Sequence, residues 1–181
     1  MPDTEAAEIV DFWRDAGPQK WFAKDDAFDR TIRARFLSVH EAAARGALAA
    51  WEDAPLSALA LVILCDQFPR NIFRGSARAF ATDPLALAVA DRAIARGFDQ
   101  STEEALRLFF YMPFMHSEVL AEQERCVQLF AAFGDAELSK YADEHREVIA
   151  KFGRFPHRNR ILARATSPAE QAFLDGGGFA G

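Results

Sequence analysis

The helical spacing of apolar residues is the feature that most constrains how this chain folds. From residue 138 to residue 152, apolar side chains recur at i, i+3, i+4 and i+7 and form one unbroken face. Similar patterns cover residues 5–16 and 28–43, and the second of these ends at Gly46. No segment alternates apolar and polar residues with a period of two, so a sheet is not expected.

Nearly every side chain from residue 56 to residue 68 is apolar, which predicts a helix buried on all sides at the centre of the fold. The residue that follows is Pro69. Because proline has no amide proton and clashes with the preceding turn, this helix is predicted to end near Gln67 or Phe68. Asp66 would then lie in its last turn.

Local capping signals mark the ends of further helices. Ser101 and Ser167 are each followed three residues later by a glutamate, which is the pattern of a capping box. Thr82 predicts another helix start, with a proline two residues later. Ser117 is predicted to cap a helix that runs to Gly134.

These patterns predict an all-α fold of about eight helices, arranged in antiparallel pairs because the turns between them are short. The length of 181 residues suits a single helical domain, 1–181, and no Ser-rich or Pro-rich linker divides it. The glycine-rich residues 175–181 are predicted to form a flexible tail.

Composition excludes several classes of function. The formal net charge of −6 argues against a nucleic-acid partner and against an anionic membrane surface. The longest apolar run, 58–65, is eight residues, far short of the about 20 that span a bilayer. The N-terminus is acidic and no apolar stretch of secretory length follows it, so a cytoplasmic protein is expected.

Cys65 and Cys126 lie in apolar helical patterns, as buried cysteines of a reducing compartment do.

Asp66 is the first candidate for a functional residue. A carboxylate in the last turn of a buried helix faces the negative end of the helix dipole, so an arginine is expected to pair with it. Two interpretations stay open. Either Asp66 acts as an acid or positions an arginine of a site, or it belongs to a buried ion pair that only joins helix ends.

His145 and Gln123 are polar residues on apolar helix faces. His145 follows Leu138 by seven residues on the face described above, and Gln123 aligns with Cys126 and Phe130 on its own helix. Both side chains are therefore expected to point into the protein. Buried polar groups need partners, so the two predict an interior polar network. The alternative for His145 is a hydrogen-bonded core histidine without a role in function.

His116 and Glu118 flank Ser117 at a predicted helix start, where backbone N–H groups favour an anion. His116 and Glu118 are candidate site residues on this ground. For Ser117, a plain helix cap is the favoured interpretation.

Positive charge is concentrated in residues 151–164, which hold five Lys or Arg and no acidic residue. Guanidinium groups bind carboxylate or phosphate through paired hydrogen bonds, so the segment predicts a site for an anionic small molecule. The Phe-Pro motif at 68–71 is also basic. The predicted ligand-binding residues, besides Asp66 and Gln123, are Arg70, Asn71, Arg154, His157, Arg158 and Asn159. The alternative is that these arginines only pair with acidic helices.

No metal site and no cofactor are predicted. The histidines, cysteines and acids show none of the ligand spacings of known sites, such as HExxH or CxxC. His40 is followed by Glu41 and is expected at the exposed edge of its helix.

Three polar motifs occur in order along the chain: Asp66-Gln67-Phe68-Pro69-Arg70-Asn71, Pro113-Phe114-Met115-His116-Ser117-Glu118 and Gly153-Arg154-Phe155-Pro156-His157-Arg158-Asn159. Together they resemble the uncharacterised bacterial family called domain of unknown function nine-two-four, over nearly the whole chain. The resemblance implies a tetratricopeptide-like fold of helix pairs and brings no established activity. Leu162-Ala163-Arg164 departs from the Leu-Gly-Arg usual in that family.

Two hypotheses for function follow. The first is an interior pocket for a phosphate- or carboxylate-bearing small molecule. In a hydrolase-like version of it, His116 or His145 is the acid–base group and Glu118 is its partner, because imidazole titrates near neutral pH. The second is a tetratricopeptide-like scaffold that binds a peptide or protein, with structural roles for the motifs. The sequence leaves open whether the protein is an enzyme.

Overall fold

The computed structural model describes residues 2–178, and these residues form helices and turns without a strand. The predicted all-α fold is confirmed. The α-helices are α1 (Pro2–Ala16), α2 (Pro18–Trp21), α3 (Asp26–Ala44), α4 (Pro55–Val62), α5 (Phe68–Ile72), α6 (Asp83–Ala95), α7 (Glu104–Arg107), α8 (Met112–Met115), α9 (Leu120–Phe133), α10 (Ala136–Phe152) and α11 (Pro168–Asp175). A π-helical turn covers Ile63–Gln67, and short 3-10 helices cover Ala49–Asp53, Ala77–Phe80, Leu108–Phe110 and Pro156–Arg158.

The described chain divides into two compact units. The first unit comprises residues 2–74 and 78–113, and the second comprises residues 75–77 and 114–178. Of the predicted tail at 175–181, residues 179–181 lie outside the described residues. The single domain 1–181 stays a prediction.

Aromatic side chains fill the core of the first unit. Trp13 is fully buried, and its ring lies 6.1, 5.6 and 5.6 Å from the ring centroids of Phe28, Phe68 and Phe109. Aromatic pairs of this kind add about 0.5–1.5 kcal/mol each beyond the area that they bury. Helix α4 packs against both α1 and α6, and its residues 57–62 are all buried, as the apolar run predicted.

The end of this central helix differs from the prediction. The chain stays helical past Pro69, which occupies the first turn of α5. The preceding π-turn explains how: the amide of Phe68 donates to the carbonyl of Ile63, five residues back rather than four. The wider turn accommodates a proline that would clash with a regular α-helical turn.

Side chains donate to three carbonyls of this turn. The carbonyl of Leu64 accepts from His40 Nδ1 (2.9 Å), that of Cys65 accepts from Thr82 Oγ1 (2.6 Å), and that of Asp66 accepts from an Arg70 nitrogen (2.5 Å). The prediction of an exposed His40 is wrong, since its side chain is buried against the turn. Burial lowers the pKa of this imidazole below its ordinary value.

Helices α9 and α10 pack against each other in the second unit. Only Gly134 and Asp135 link them, so they run antiparallel. Gly134 takes the left-handed conformation that ends α9, and the Asp135 carboxylate caps α10 by accepting from two backbone amides. Gly153 ends α10 in the same left-handed way. The predicted ends at both glycines are confirmed.

Three of the predicted helix caps are wrong. Helix α6 does begin after Thr82, but the Thr82 hydroxyl makes no cap bond and donates to the Cys65 carbonyl instead. The Ser101 hydroxyl donates back to the Gly97 carbonyl instead of capping α7. The Ser117 hydroxyl accepts from the Val119 amide, and α9 begins later, at Leu120. The capping box at Ser167, by contrast, is complete at the start of α11.

Candidate functional site

The second unit gathers most of the predicted polar residues around Phe155. This side chain is fully buried, and both of its main-chain groups are bound by side chains: its amide donates to Glu118 Oε1 (2.8 Å), and its carbonyl accepts from Arg164 Nη2 (3.1 Å). We call the surrounding group the Phe155 cluster. Its members are His116, Glu118, Gln123, His145, Arg154, Phe155, His157, Arg158, Asn159, Arg164 and Glu170.

Glu118 and Arg164 form a two-point ion pair, with N–O distances of 2.7 and 2.9 Å. Burial raises the pKa of the Glu118 carboxyl, but the hydrogen bonds from Arg164 and from the Phe155 amide outweigh it and leave the pKa below its ordinary value. Glu118 is therefore ionised and positions the segment at Phe155. Its role as partner of a catalytic histidine stays a prediction.

Two imidazoles lie against the Phe155 ring. The ring centroids of His145 and His157 are 5.7 and 5.5 Å from that of Phe155. Burial lowers the pKa of each imidazole to about 4, and positive charge on Arg158 contributes to both shifts. His116 adds to both in the same direction. His145 and His157 are accordingly neutral at pH 7.

The hydrogen bond of His145 fixes its tautomer. Its Nδ1 lies 2.6 Å from the carbonyl oxygen of Tyr141, one helical turn earlier. A carbonyl oxygen can only accept, so Nδ1 carries the proton and Nε2 carries the lone pair. The predicted inward direction of His145 is confirmed by its burial in α10.

Arg158 and Gln123 together hold the turn before α9. The Arg158 guanidinium lies 4.5 Å from the Phe155 ring centroid and donates to the His116 carbonyl (3.0 Å). The Gln123 amide nitrogen lies 2.7 Å from the carbonyls of both Met115 and Ser117. Gln123 is fully buried, as its helix face predicted, and its Oε1 has no hydrogen-bond partner among residues 2–178.

Arg154 is bound to Glu170 through a second two-point ion pair, with distances of 2.6 and 2.9 Å. The hydrogen bond from Arg154, with one from the Ser167 amide, holds the pKa of the Glu170 carboxyl well below its ordinary value. Asn159 is fully buried, and its Oδ1 is another acceptor that nothing in the described chain satisfies. Arg164 lies in the basic segment, but no local pattern in the sequence predicts that it belongs to the cluster.

The remaining predicted residues belong to the first unit. Asp66 is fully buried, and the predicted arginine beside it is Arg70, whose nearest nitrogen is 3.6 Å from the carboxylate. Arg70 also makes a two-point pair with Asp83 (2.9 and 3.0 Å). Asn71 donates to Asp29 (2.8 Å). Each of these polar groups thus has partners within its own unit, and a role in a ligand site stays a prediction.

A separate cleft of about 430 Å³ lies in the second unit, and none of the predicted site residues lines it. Its lining residues are Glu144, Glu147, Val148, Lys151, Phe173 and Gly177. Two acidic side chains against one lysine make it a poor match for an anion.

Metal ligands and membrane spans were both predicted to be absent. Within residues 2–178, no three His, Cys, Asp or Glu side chains are grouped so that they could hold a metal ion. No described helix has the length and apolar character needed to cross a membrane.

The family assignment follows from a match over residues 9–178, which includes all three polar motifs. The chain belongs to DUF924, the family described as a bacterial protein of unknown function. The predicted resemblance is thereby confirmed, while the tetratricopeptide-like description of the fold stays a prediction. The chain is similar to a solved structure, that of the protein of unknown function ATU0120 from Agrobacterium tumefaciens, with 51% sequence identity and a TM-score of 0.94. The match covers 97% of this chain and 99% of that one. No protein of curated function matches the chain.

Proposed function

We propose that the second unit of this DUF924 protein binds a small anionic molecule at the Phe155 cluster. The observation that carries the proposal is the convergence of Arg158, His145 and His157 on one aromatic ring, at 4.5, 5.7 and 5.5 Å. A guanidinium over a ring face directs its N–H groups outward in its own plane, where a carboxylate or phosphate binds.

The carboxylates of the cluster support the same assignment. Glu118 is held by Arg164, and Glu170 is held by Arg154, each through two hydrogen bonds. Paired carboxylates repel an incoming anion much less than unpaired ones, because the arginine cancels most of their field.

Acid–base catalysis is less well supported than binding. A general base works best when its pKa lies near the working pH. The pKa of His145 is lowered to about 4 by burial, so its imidazole is a weak base at pH 7. A bound anion would raise this pKa, which makes anion binding the prior requirement for any such chemistry.

The test is a thermal-shift and calorimetric screen of the full chain with inorganic phosphate, sulfate, acetate and citrate, comparing Arg158→Gln with Arg160→Gln. Arg160 is an exposed arginine two residues along the same segment and serves as the matched control. An anion at 100 times its Kd stabilises the folded protein by about 2.7 kcal/mol.

The expected result is that the wild type and Arg160→Gln are stabilised and that Arg158→Gln is not. Arg158→Lys keeps the charge and is expected to bind more weakly than the wild type, because lysine cannot make the two-point contact. Absence of any shift across the panel, or an unchanged shift in a folded Arg158→Gln protein, would overturn the proposal.

A further inference from the structure

We infer that the cleft lined by α10 and α11 is a second binding site, for a small molecule that carries a primary ammonium group on a short aliphatic chain. None of the residues of the proposed anion site lines this cleft, so the two sites are independent. The geometry that carries the inference is the combination of carboxylates, an aromatic ring and a buried valine in one cleft.

The cleft has the size of a small-molecule site. Its volume of about 430 Å³ lies within the range of about 300–1,000 Å³ that is usual for ligand pockets. Four of its lining residues share one face of α10, because they follow one another at i, i+3, i+4 and i+7: Glu144, Glu147, Val148 and Lys151. Helix α11 contributes Phe173 to the lining.

The apolar part of the lining suits a hydrocarbon chain. Val148 is buried, and the side chain of Phe173 is half-buried. The Phe152 ring packs against the Phe173 ring, with 5.1 Å between their centroids, and so supports it from α10. Each methylene group that leaves water for such a surface favours binding.

Lys151 shows that an ammonium group is accommodated beside these rings. Its Nζ lies 5.0 Å from the centroid of Phe152 and 5.5 Å from that of Phe173. The face of an aromatic ring attracts a cation at such distances. A ligand ammonium in the cleft would meet the same ring, and it would also be repelled by the charge of Lys151.

Glu144 and Glu147 give the cleft its preference for a cation. Glu144 lies 3.7 Å from the ammonium of Lys140, whose side chain is 74% exposed, and Glu147, which is 73% exposed, lies 4.0 Å from Arg146. Ion pairs that are this long and this exposed contribute little. Both carboxylates therefore keep acceptor oxygens that a ligand ammonium can use.

The same lining disfavours other classes of ligand. Two carboxylates repel an anion. A metal ion needs a closer set of ligands, and within residues 2–178 no three His, Cys, Asp or Glu side chains are grouped to hold one. A neutral hydrocarbon would cover the carboxylates without donating to them, which an alkylammonium does.

The experiment is a titration of the full chain at pH 7.5 with butylamine, diaminobutane, butanol and butyrate, followed in proton–nitrogen NMR spectra. Alkylamines are protonated at this pH, as lysine is. We expect the two amines to shift the amide resonances of Val148, Phe173 and Gly177. We also expect butylamine to bind about 10-fold more tightly than butanol, because two carboxylates attract only the amine.

Charge variants distinguish this site from non-specific attraction to an acidic protein. Glu147→Gln removes one carboxylate and should weaken butylamine binding about fivefold, which is the effect of one charge about 4 Å away in water. Lys151→Met removes the repelling ammonium and should strengthen butylamine binding by about the same factor. Glu124→Gln and Lys24→Met make the same charge changes at exposed positions outside the cleft, and both should bind butylamine as the wild type does.

Equal affinities for butylamine and butanol would overturn the inference. It would equally be wrong if Lys151→Met bound butylamine no more tightly than Lys24→Met, or if the shifted resonances lay outside the cleft. Arg158→Gln, which tests the anion site, should leave butylamine binding unchanged. Either proposal can therefore fail while the other stands.

Discussion

Acidification should destabilise this protein well above the pH at which its carboxylates titrate, because two histidines are buried in neutral form. The pKa of His145 and of His157 is about 4 in the folded protein, against 6.5 for an ordinary histidine. The unfolded chain therefore binds more protons than the folded chain between these values. The contribution of the two neutral rings to the free energy of unfolding is therefore fully present above pH 6.5 and is lost as the pH falls toward 4.

The size of the effect follows from the same two values. Each histidine changes the free energy of unfolding by about 1.4 kcal/mol per pH unit inside the window, which amounts to about 2 kcal/mol between pH 7.5 and pH 5. Both together remove about 4 kcal/mol, and His40 in the first unit adds to this in the same direction, since burial lowers its pKa as well.

The assay is urea unfolding followed by far-ultraviolet circular dichroism at several pH values between 7.5 and 5. Fluorescence is less suitable, because Trp13, Trp21 and Trp51 all lie in the first unit, whereas both histidines lie in the second. His157→Gln should lose about 2 kcal/mol less than the wild type over this interval.

Gln128→His is the matched control for the titration. It adds an imidazole at an exposed position of α9, where folded and unfolded states are expected to bind the proton equally. Its pH dependence should equal that of the wild type. The reasoning is refuted if His157→Gln and the wild type lose the same free energy of unfolding between pH 7.5 and pH 5.

Three further outcomes are expected from single groups. Burial raises the pKa of the Cys65 and Cys126 thiols to about 12, so neither should react with a disulfide reagent at pH 8 until the protein is unfolded, when both should. Thr82→Val removes the donor to a buried carbonyl and should lower the free energy of unfolding by about 1–3 kcal/mol. Thr31→Val, which removes an exposed bond of the same type, should have little effect in the same urea titration. Ser167→Ala removes the cap of α11 and should cost about 1 kcal/mol, measured as a shift in the urea midpoint.

The C-terminal ends of α9 and α10 and the start of α11 could be predicted because they depend on neighbouring residues. Gly134 and Gly153 end α9 and α10 by taking a conformation that other residues avoid, and Ser167 caps α11 through a residue three positions away. The inward faces of Gln123 and His145 followed from helical periodicity alone. Each of these patterns lies within about two helical turns of the residue whose structure it predicts.

The π-turn before Pro69 could not be predicted because its stability depends on distant donors. His40 and Thr82 lie 24 and 17 residues from the carbonyls that they satisfy. Without such donors, a helix that meets a proline must stop, which is what the local rules predicted. The groups that bury His40 are also distant from it in the sequence, so its sequence neighbours predicted an exposed side chain.

The partners of the arginines could not be predicted from the sequence either. Residues 151–164 contain five basic side chains, and local spacing does not say which acid each one meets. Arg164 pairs with Glu118, 46 residues away, whereas Arg154 pairs with Glu170. The positive charge and the inward direction of His145 could be predicted from the sequence, whereas folding determines which guanidinium lies over the Phe155 ring.

The two Phe-Pro motifs share a structural task that bears on how the proposals must be tested. Before Pro69, side chains donate to carbonyls of the π-turn, and at Phe155, Glu118 and Arg164 bind the main-chain amide and carbonyl directly. Polar side chains at both places therefore hold the backbone, whatever else they do. Substituting them will lower stability whether or not a ligand binds, so a loss of stability does not identify a binding residue. The anion affinity of a folded Arg158→Gln protein does, when it is compared with that of Arg160→Gln, because an anion stabilises only a folded state that binds it.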